Sequence, residues 1–189
     1  MTTRYGIRVY KEYFNVAAAH FLIFDNGDRE ELHGHNYHIQ MSIEGTLGEE
    51  AGKEKDVFID FLHIKPMVKA VCDEIDHHTI LPQFNKFLEV SECDTGIRAR
   101  YFRGDEWLFP KRDVKILPIP NTSSERLAEY LCHETLKRLS GQYPDAAITR
   151  IEFSVEESRG QAAIYRMEFA KPKKLTEILA GENSTTSAV

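Results

Sequence analysis

Three histidines are placed where one metal ion could bind them. His33 and His35 are two residues apart in a stretch of alternating residues, so in a strand both side chains point to the same face. His20 ends an apolar face of the preceding stretch, and antiparallel pairing of the two strands would bring it beside them. Three neutral imidazoles without a fourth protein ligand form a catalytic zinc site with one open position. The alternative is a set of hydrogen-bonded strand histidines, because a His-Gly-His motif alone is a weak signal.

A second candidate is the pair Asp76 and His77, which follows an amphipathic segment. A carboxylate next to a histidine can orient the imidazole and keep it basic, as general acid or base catalysis requires. The neighbouring His78 is also close to Asp76 in the sequence, so residue type alone does not decide which of the two histidines would act with this carboxylate. The alternative is a helix C-terminus, where a histidine interacts favourably with the negative end of the helix dipole.

The third candidate is the carboxylate pair Glu156 and Glu157. Glu157 has the strand parity of Ile151, Phe153 and Val155, so its side chain should point inward at the end of a strand. A carboxylate at such a position needs a partner, because an unpaired buried charge is costly. A ligand edge that resembles guanidine would pair with it well, and so would an arginine of the protein.

Strands must position these side chains. Alternation with a period of two predicts strands over residues 7–20, 33–44, 151–157 and 163–169. A further short strand is predicted over residues 56–61. The last two should form a hairpin around a turn at residues 158–161. Polar loops are expected over residues 25–31 and 45–55.

Two amphipathic helices are also predicted. The first ends near Asp76 and has apolar residues at helical spacing, namely Ile64, Met67, Val68, Val71, Cys72 and Ile75. The second begins near Thr122, whose spacing from Glu125 is that of a capping box, and its apolar stripe contains Leu127, Leu131, Cys132, Leu136 and Leu139. Between the helices, residues 84–117 alternate strand-like runs with turns, which predicts an extra β-hairpin insert.

This order of elements favours one α+β domain with an antiparallel sheet over residues 1–175. Residues 176–189 are predicted to be a C-terminal tail, of which residues 182–189 are small, polar and expected to be disordered.

The composition fits an ordinary globular chain of 189 residues, with 42% hydrophobic and 29% charged residues. A net charge of −6 argues against a nucleic-acid partner, and no apolar run approaches the ~20 residues of a membrane helix. The first residues show no apolar signal core. The odd number of cysteines, Cys72, Cys93 and Cys132 at wide spacings, is typical of reduced thiols in a cytoplasmic protein.

The candidate residues belong to a longer series of motifs. In chain order these are Phe14-Asn15-Val16-Ala17-Ala18-Ala19-His20, His33-Gly34-His35-Asn36-Tyr37, Asp60-Phe61, Asp76-His77-His78, Thr122-Ser123-Ser124-Glu125-Arg126-Leu127-Ala128, Glu157-Ser158 and Ala163-Ile164-Tyr165. Over roughly residues 5–170, the chain resembles the 6-pyruvoyltetrahydropterin synthase / 6-carboxytetrahydropterin synthase family. The resemblance implies the tunnelling fold, a four-stranded antiparallel sheet with two helices on one face. It also implies homo-oligomers, trimers or hexamers, with sites between subunits.

The resemblance also implies roles for individual residues. His20, His33 and His35 would be the zinc ligands, and Asp76 with His77 would be the catalytic acid–base pair. The substrate would be a small-molecule pterin. For 6-carboxytetrahydropterin synthases, the resemblance further implies a place in queuosine biosynthesis.

By the same resemblance, Glu157 would anchor the amino-pyrimidine edge of the pterin, and Ser123 and Ser124 would contact the substrate. One departure concerns the catalytic cysteine, which the best-known members carry a few residues before His-Gly-His. This chain has no cysteine there, and Glu30 and Glu31 are the candidate replacements. Glu30 fits the spacing of related members that carry a glutamate.

Three functions follow from this pattern. The leading hypothesis is a zinc-dependent carbon–oxygen lyase acting on 7,8-dihydroneopterin triphosphate. In it, zinc would bind the side-chain hydroxyl oxygens, and Glu30 or Glu31 would remove a proton. The second hypothesis is side-chain cleavage with a glutamate base, which gives 6-hydroxymethyl-dihydropterin for folate synthesis. The third is a zinc-containing pterin-binding homologue with little turnover.

Overall fold

The computed structural model describes residues 3–47 and 56–185, without the side chains of residues 182–185. Ten strands and three helices lie within these ranges. In chain order they are β1 (Tyr5–Val9), β2 (Asn15–His20), β3 (His33–Gly45), α1 (Phe61–Asp73), β4 (His78–Pro82), β5 (Leu88–Cys93), β6 (Gly96–Tyr101), β7 (Glu106–Phe109), β8 (Val114–Leu117), α2 (Ser124–Gln142), β9 (Ala147–Ser158), β10 (Gln161–Lys174) and α3 (Leu175–Thr185).

Seven strands form the main sheet, in the spatial order β10-β9-β3-β2-β4-β8, with β1 pairing to the second half of β3. β2, β3, β9 and β10 are antiparallel neighbours, which confirms the expected antiparallel core of the sheet. β4 and β8 extend this sheet in parallel, which the sequence did not predict. The single strand predicted over residues 7–20 is two strands, because a turn at residues 12–13 separates β1 from β2.

The core lies on one face of this sheet. Inward-facing residues of β2, β3 and β9 are buried as the alternation predicted, namely Val16, Ala18, Tyr37, Ile39, Met41, Ile43, Ile151, Phe153 and Val155. Helices α1 and α2 contribute their apolar stripes to the same cluster, with Ile64, Val68, Val71, Cys72, Leu127, Leu131, Cys132, Leu136 and Leu139. The α+β tunnelling fold expected from the sequence is therefore confirmed.

The start of α1 differs from the sequence prediction. Residues 56–61 were predicted to be a strand, but Asp60 is the helix N-cap, and its carboxylate accepts a hydrogen bond from Leu62 N at 2.8 Å. The helix begins at Phe61 because this cap satisfies one of the unpaired amides of the first turn. The helix also ends at Asp73, which is three residues before the predicted end.

The N-cap of α2 is one residue later than predicted. Ser123 caps the helix, with its Oγ accepting from Arg126 N at 3.4 Å, so Thr122 and Glu125 do not form the predicted capping box. The hydroxyl of Thr122 donates instead to the carbonyl of Phe21 at 2.8 Å. This bond fastens the start of α2 to the end of β2.

The insert over residues 84–117 contains more than the predicted hairpin. β5, β6 and β7 form a three-stranded antiparallel sheet, and β8 joins the main sheet. The small sheet has its own buried cluster, formed by Phe21, Ile23, Leu81, Leu88, Ile97, Ala99 and Tyr101.

The C-terminal segment also differs from the expected tail. Helix α3 begins at Leu175, and both Leu175 and Ile178 are buried in the main core. Residues 186–189 of the predicted disordered tail, and residues 48–55 of the predicted loop over 45–55, lie outside the described residues. Within the part of the chain that is described, no helix is both long enough and apolar enough to span a membrane.

Candidate active site

Three histidines and one glutamate converge at the end of the core. One ligand atom from each of His20, His33, His35 and Glu157 lies within 4.8 Å of the others. The register of β2 and β3 causes this convergence, because His20 pairs with His33 and Ala18 pairs with His35. The antiparallel pairing that the sequence predicted for these histidines is therefore confirmed.

Two of the imidazoles are oriented by backbone carbonyls. His20 Nδ1 lies 2.9 Å from the carbonyl oxygen of Thr122, and His33 Nδ1 lies 2.7 Å from that of Glu31. A carbonyl only accepts, so each Nδ1 carries the proton and each Nε2 keeps its lone pair. A hydrogen bond from Nδ1 to a carbonyl is what usually fixes the tautomer of a histidine that binds a metal through Nε2.

The remaining nitrogens are placed to act as ligands. His35 Nε2 is buried and has no hydrogen-bond partner among the described residues, although Glu157 Oε1 lies 2.8 Å away. Burial, opposed by the hydrogen bond to Thr122, lowers the pKa of His20, so its imidazole is neutral near pH 7. A neutral imidazole is the form that binds a metal.

The donor set fits zinc. Imidazole nitrogens and a carboxylate oxygen are usual zinc ligands. A metal bound to the buried His35 Nε2 would also give this nitrogen the partner that it lacks. The sequence predicted three ligands and an open fourth position. The structure adds a carboxylate oxygen of Glu157, which lies within 4.8 Å of a ligand atom of each of the three histidines.

Glu157 is held from the side of α2. The buried Ser124 donates its hydroxyl to Glu157 Oε2 at 3.0 Å. The predicted partner Ser123 faces the helix instead, where it acts as the N-cap. The inward parity expected for Glu157 agrees with this contact, and the side chain remains 36% exposed.

The sequence did not single out Tyr37 as part of the site, although it lies on the same strand face as the two histidines. Its hydroxyl is 3.0 Å from His20 Nε2. Burial raises the pKa of Tyr37, and the nearby charges of Glu157 and Glu30 raise it further. The period-2 alternation of β3 could have identified this residue.

The two glutamates before His33 have different surroundings. Glu30 is half-buried, and its Oε2 accepts from Leu22 N at 3.3 Å. Its charge acts on Tyr37, which contacts the histidine cluster. Glu31 has an exposed side chain and contributes its carbonyl to His33.

Asp76 and His77 form a second polar group, at the junction of β2 and β4. Ala17 N donates to Asp76 Oδ1 at 2.8 Å, and His77 Nδ1 lies 3.0 Å from Asp76 Oδ2. Burial raises the pKa of Asp76, but these contacts lower it more, and the net pKa lies below its ordinary value. His77 is 82% exposed and has a φ of 58°, which is uncommon for a residue other than glycine. The alternative His78 turns its Nδ1 to the carbonyl of Asp76 at 2.7 Å.

The structure does not bring Asp76 and His77 into the histidine cluster. His77 borders a cavity of about 410 Å³ that is also lined by Ala17, Ala19, Gly34, His35, Asn36 and Asp113. On β2 and β3, Ala17, Ala19, Gly34 and Asn36 alternate with His20, His33 and His35 and therefore face the opposite side of the sheet.

Comparisons with known proteins agree with this geometry. The family model for 6-pyruvoyl tetrahydropterin synthase matches residues 8–168. A Methanocaldococcus jannaschii protein, designated a candidate 6-carboxy-5,6,7,8-tetrahydropterin synthase, is 37% identical over 79% of this chain and 88% of its own. The 6-carboxy-5,6,7,8-tetrahydropterin synthase of Haemophilus influenzae is 39% identical over 62% of this chain and 74% of its own.

A solved structure is similar over most of the chain. It is a Plasmodium vivax 6-pyruvoyltetrahydropterin synthase in which a catalytic glutamate is replaced by alanine. It is 28% identical, covers 89% of this chain and 100% of its own, and has a TM-score of 0.79. The chain belongs to the 6-pyruvoyl tetrahydropterin synthase family and is a pterin synthase-like enzyme.

Proposed function

We propose that this enzyme is a zinc-dependent carbon–oxygen lyase acting on 7,8-dihydroneopterin triphosphate. Three imidazoles and one carboxylate converge within 4.8 Å of one another, and this arrangement carries the proposal. The names of the relatives, which are tetrahydropterin synthases, support the choice of a pterin as substrate. The reduced thiols of Cys72 and Cys93 support our further proposal of a cytoplasmic enzyme.

His20, His33 and His35 would hold the metal through their Nε2 atoms. When bound, zinc supplies a Lewis acid that polarises the hydroxyl oxygens of the pterin side chain. Thr122 and Glu31 hold the rings of His20 and His33 in the orientation that this requires.

Glu157 would bind the pterin ring. An amino-pyrimidine edge presents adjacent N–H donors, and an ionised carboxylate accepts both in a bidentate arrangement. The hydroxyl of Ser124, in the first turn of α2, donates to Glu157 and orients this carboxylate. The position of Glu157 beside the cluster would place the pterin side chain next to the three histidines.

Glu30 would be the base. It would take a proton from a side-chain carbon, and the carbon–oxygen bond to the triphosphate would break, so that triphosphate leaves with the electron pair. The half-buried position of Glu30 and its electrostatic contact with Tyr37 support this assignment over the exposed Glu31. The catalytic glutamate of the Plasmodium vivax relative supports it as well.

Asp76 and His77 would move protons on the other side of the substrate. His77 borders a cavity lined by Ala17, Ala19, Gly34 and Asn36, which alternate with the clustered histidines along β2 and β3. This placement supports a site in which the histidine cluster and the Asp76–His77 pair come from different chains. We therefore propose a homo-oligomer, a trimer or hexamer, in which a second copy supplies this pair.

A specific observation favours a second candidate function. The loop before His33 carries Glu30 and no cysteine, and the same parts could cleave a carbon–carbon bond and release 6-hydroxymethyl-dihydropterin. Incubating the purified, zinc-loaded protein with 7,8-dihydroneopterin triphosphate and identifying the pterin product distinguishes the two. A 6-pyruvoyl or 6-carboxy pterin supports the lyase, and a 6-hydroxymethyl pterin supports cleavage. Binding without any product would leave a pterin-binding homologue.

A further inference from the structure

The insert packs against the loop that carries Glu30. This loop, residues 21–32, connects β2 to β3, and its residues Phe21 and Ile23 are buried in the cluster of the small sheet β5-β6-β7. The loop is closed on itself, because Glu30 N donates to the carbonyl of Leu22 at 3.0 Å. The small sheet therefore supports the loop from the outside.

Arg29 connects the insert to Glu30 directly. Its guanidinium lies 4.9 Å from the ring centre of Trp107 and 5.6 Å from that of Tyr101. Its Nε and Nη2 donate to Asp105 Oδ2 at 2.9 and 2.6 Å, and its Nη1 donates to the backbone carbonyl of Glu30 at 2.8 Å. One side chain thus joins a carboxylate of the insert to the backbone of the proposed base.

The carboxylate of Glu30 depends on this support. Within the described residues its one side-chain hydrogen bond is the long 3.3 Å contact from Leu22 N. Its position is therefore set by the backbone of Glu30. An arginine suits this task, because its planar, always charged group can donate in two directions while it stacks on aromatic rings.

A second contact holds the tip of the loop. The hydroxyl of Tyr101 donates to the carbonyl of Gly27. Gly27 has a φ of 83°, and a Cβ there would come within 2.9 Å of the ring of Phe102. The insert thus fits the loop closely at the tip and at Arg29.

We propose that Arg29, held by Asp105 and Trp107, is a positioning residue that fixes the Glu30 carboxylate at the site. This inference rests on the proposed function, in which Glu30 is the base. It gives the insert a role in the chemistry, because the small sheet supplies the groups that hold Arg29.

The test compares two arginines of the same interface. Arg29→Gln removes the link to Glu30. Arg103→Gln is the matched control, because Arg103 pairs with Asp28 at 2.5 Å on the same loop and, among the described residues, makes no contact with Glu30. Steady-state assays with 7,8-dihydroneopterin triphosphate should show kcat reduced about 10- to 100-fold in Arg29→Gln, with KM within about twofold. Zinc content should stay at the parent level, and Arg103→Gln should keep a parental kcat.

Two further variants make the result decisive. Asp105→Asn leaves Arg29 and its ring contacts in place but weakens the ion pair that holds the guanidinium. This variant should also lower kcat while KM is retained. It provides the test if the Arg29→Gln protein does not fold. Arg29→Lys keeps the charge but cannot reach Asp105 and the Glu30 carbonyl together, and it should restore only part of the lost kcat.

Parental kcat in both Arg29→Gln and Asp105→Asn would overturn the inference, and so would equal losses in Arg29→Gln and Arg103→Gln. Glu30→Ala separates this failure from failure of the proposed function. An inactive Glu30→Ala with a fully active Arg29→Gln rejects only the positioning role. A fully active Glu30→Ala rejects Glu30 as the base.

Discussion

The hydroxyl of Ser124 donates to Glu157 Oε2 at 3.0 Å, which joins the first turn of α2 to the end of β9. The other carboxylate oxygen, Oε1, lies 2.8 Å from His35 Nε2. Glu157 therefore connects the start of a helix with the histidine cluster.

Glu157→Gln should weaken pterin binding and leave the metal in place. An amide offers one acceptor and one misplaced donor where the carboxylate accepts two N–H bonds, and such a mismatch costs about 1–3 kcal/mol. The dissociation constant should rise about 5- to 150-fold, measured by titration with a pterin, while metal analysis finds parental zinc.

The matched control is Glu156→Gln, whose Oε1 accepts from Gly160 N at 2.7 Å in the β9–β10 turn. It should bind pterin like the parent. Zinc loss in Glu157→Gln would instead make Glu157 a fourth metal ligand, and a larger effect of Glu156→Gln would contradict the assignment.

Glu30→Ala should abolish side-chain chemistry and preserve the binding of pterin and zinc, because Glu30 belongs to neither proposed ligand set. Glu31→Ala should have a smaller effect, since its contact with His33 is made by the backbone. Cys72→Ser should leave the chemistry largely intact. Single-turnover product formation, with pterin affinity measured separately, checks all three. Parental turnover in Glu30→Ala, or an inactive Cys93→Ser, would place the base elsewhere.

The cysteines should differ strongly in reactivity. Burial raises the pKa of Cys72 to about 12, whereas the hydrogen bond with Thr95 lowers the pKa of the accessible Cys93. The thiolate is the reactive form, so iodoacetamide at pH 8 should alkylate Cys93 first. Cys72 and the fully buried Cys132 should react only after unfolding. Peptide mapping after a short pulse measures this order, and modification of Cys72 before Cys93 would be inconsistent with the packing of α1.

Asp76→Asn should lower stability in a pH-dependent way. The pKa of Asp76 is lower in the folded protein than its ordinary value of 3.8, so the charged form adds stability above about pH 4. This contribution is lost as the pH falls through the lower, folded-state pKa. Denaturant unfolding should show a deficit of about 1 kcal/mol at pH 7 that shrinks toward pH 3. Asp73→Asn, which loses only an exposed pair with Lys69, is the control, and a deficit that is independent of pH would refute the role of the charge.

The sequence predicted the parts of the fold that repeat a local pattern. The alternation through β3 and the helical spacing in α2 are long enough to give both the element and its buried face. The same alternation placed His20, His33 and His35 on one face, because strand parity follows from the backbone alone.

The parts that depend on distant contacts could not be predicted. Residues 56–61 contain a short apolar run, Val57 to Ile59, that is typical of a strand, but the cap at Asp60 starts a helix there. β4 and β8 are short, and their parallel pairing depends on chain segments far apart in the sequence. The contact of Arg29 with Asp105 spans 76 residues and has no local signature.

Metal analysis of the purified protein tests the central claim most directly. The account predicts about one zinc per chain and loss of most of it in His33→Ala and in His35→Ala. His38→Ala is the control, because His38 is exposed on the same strand with the opposite parity, and it should keep its zinc. Full zinc retention after both changes would contradict the proposed site.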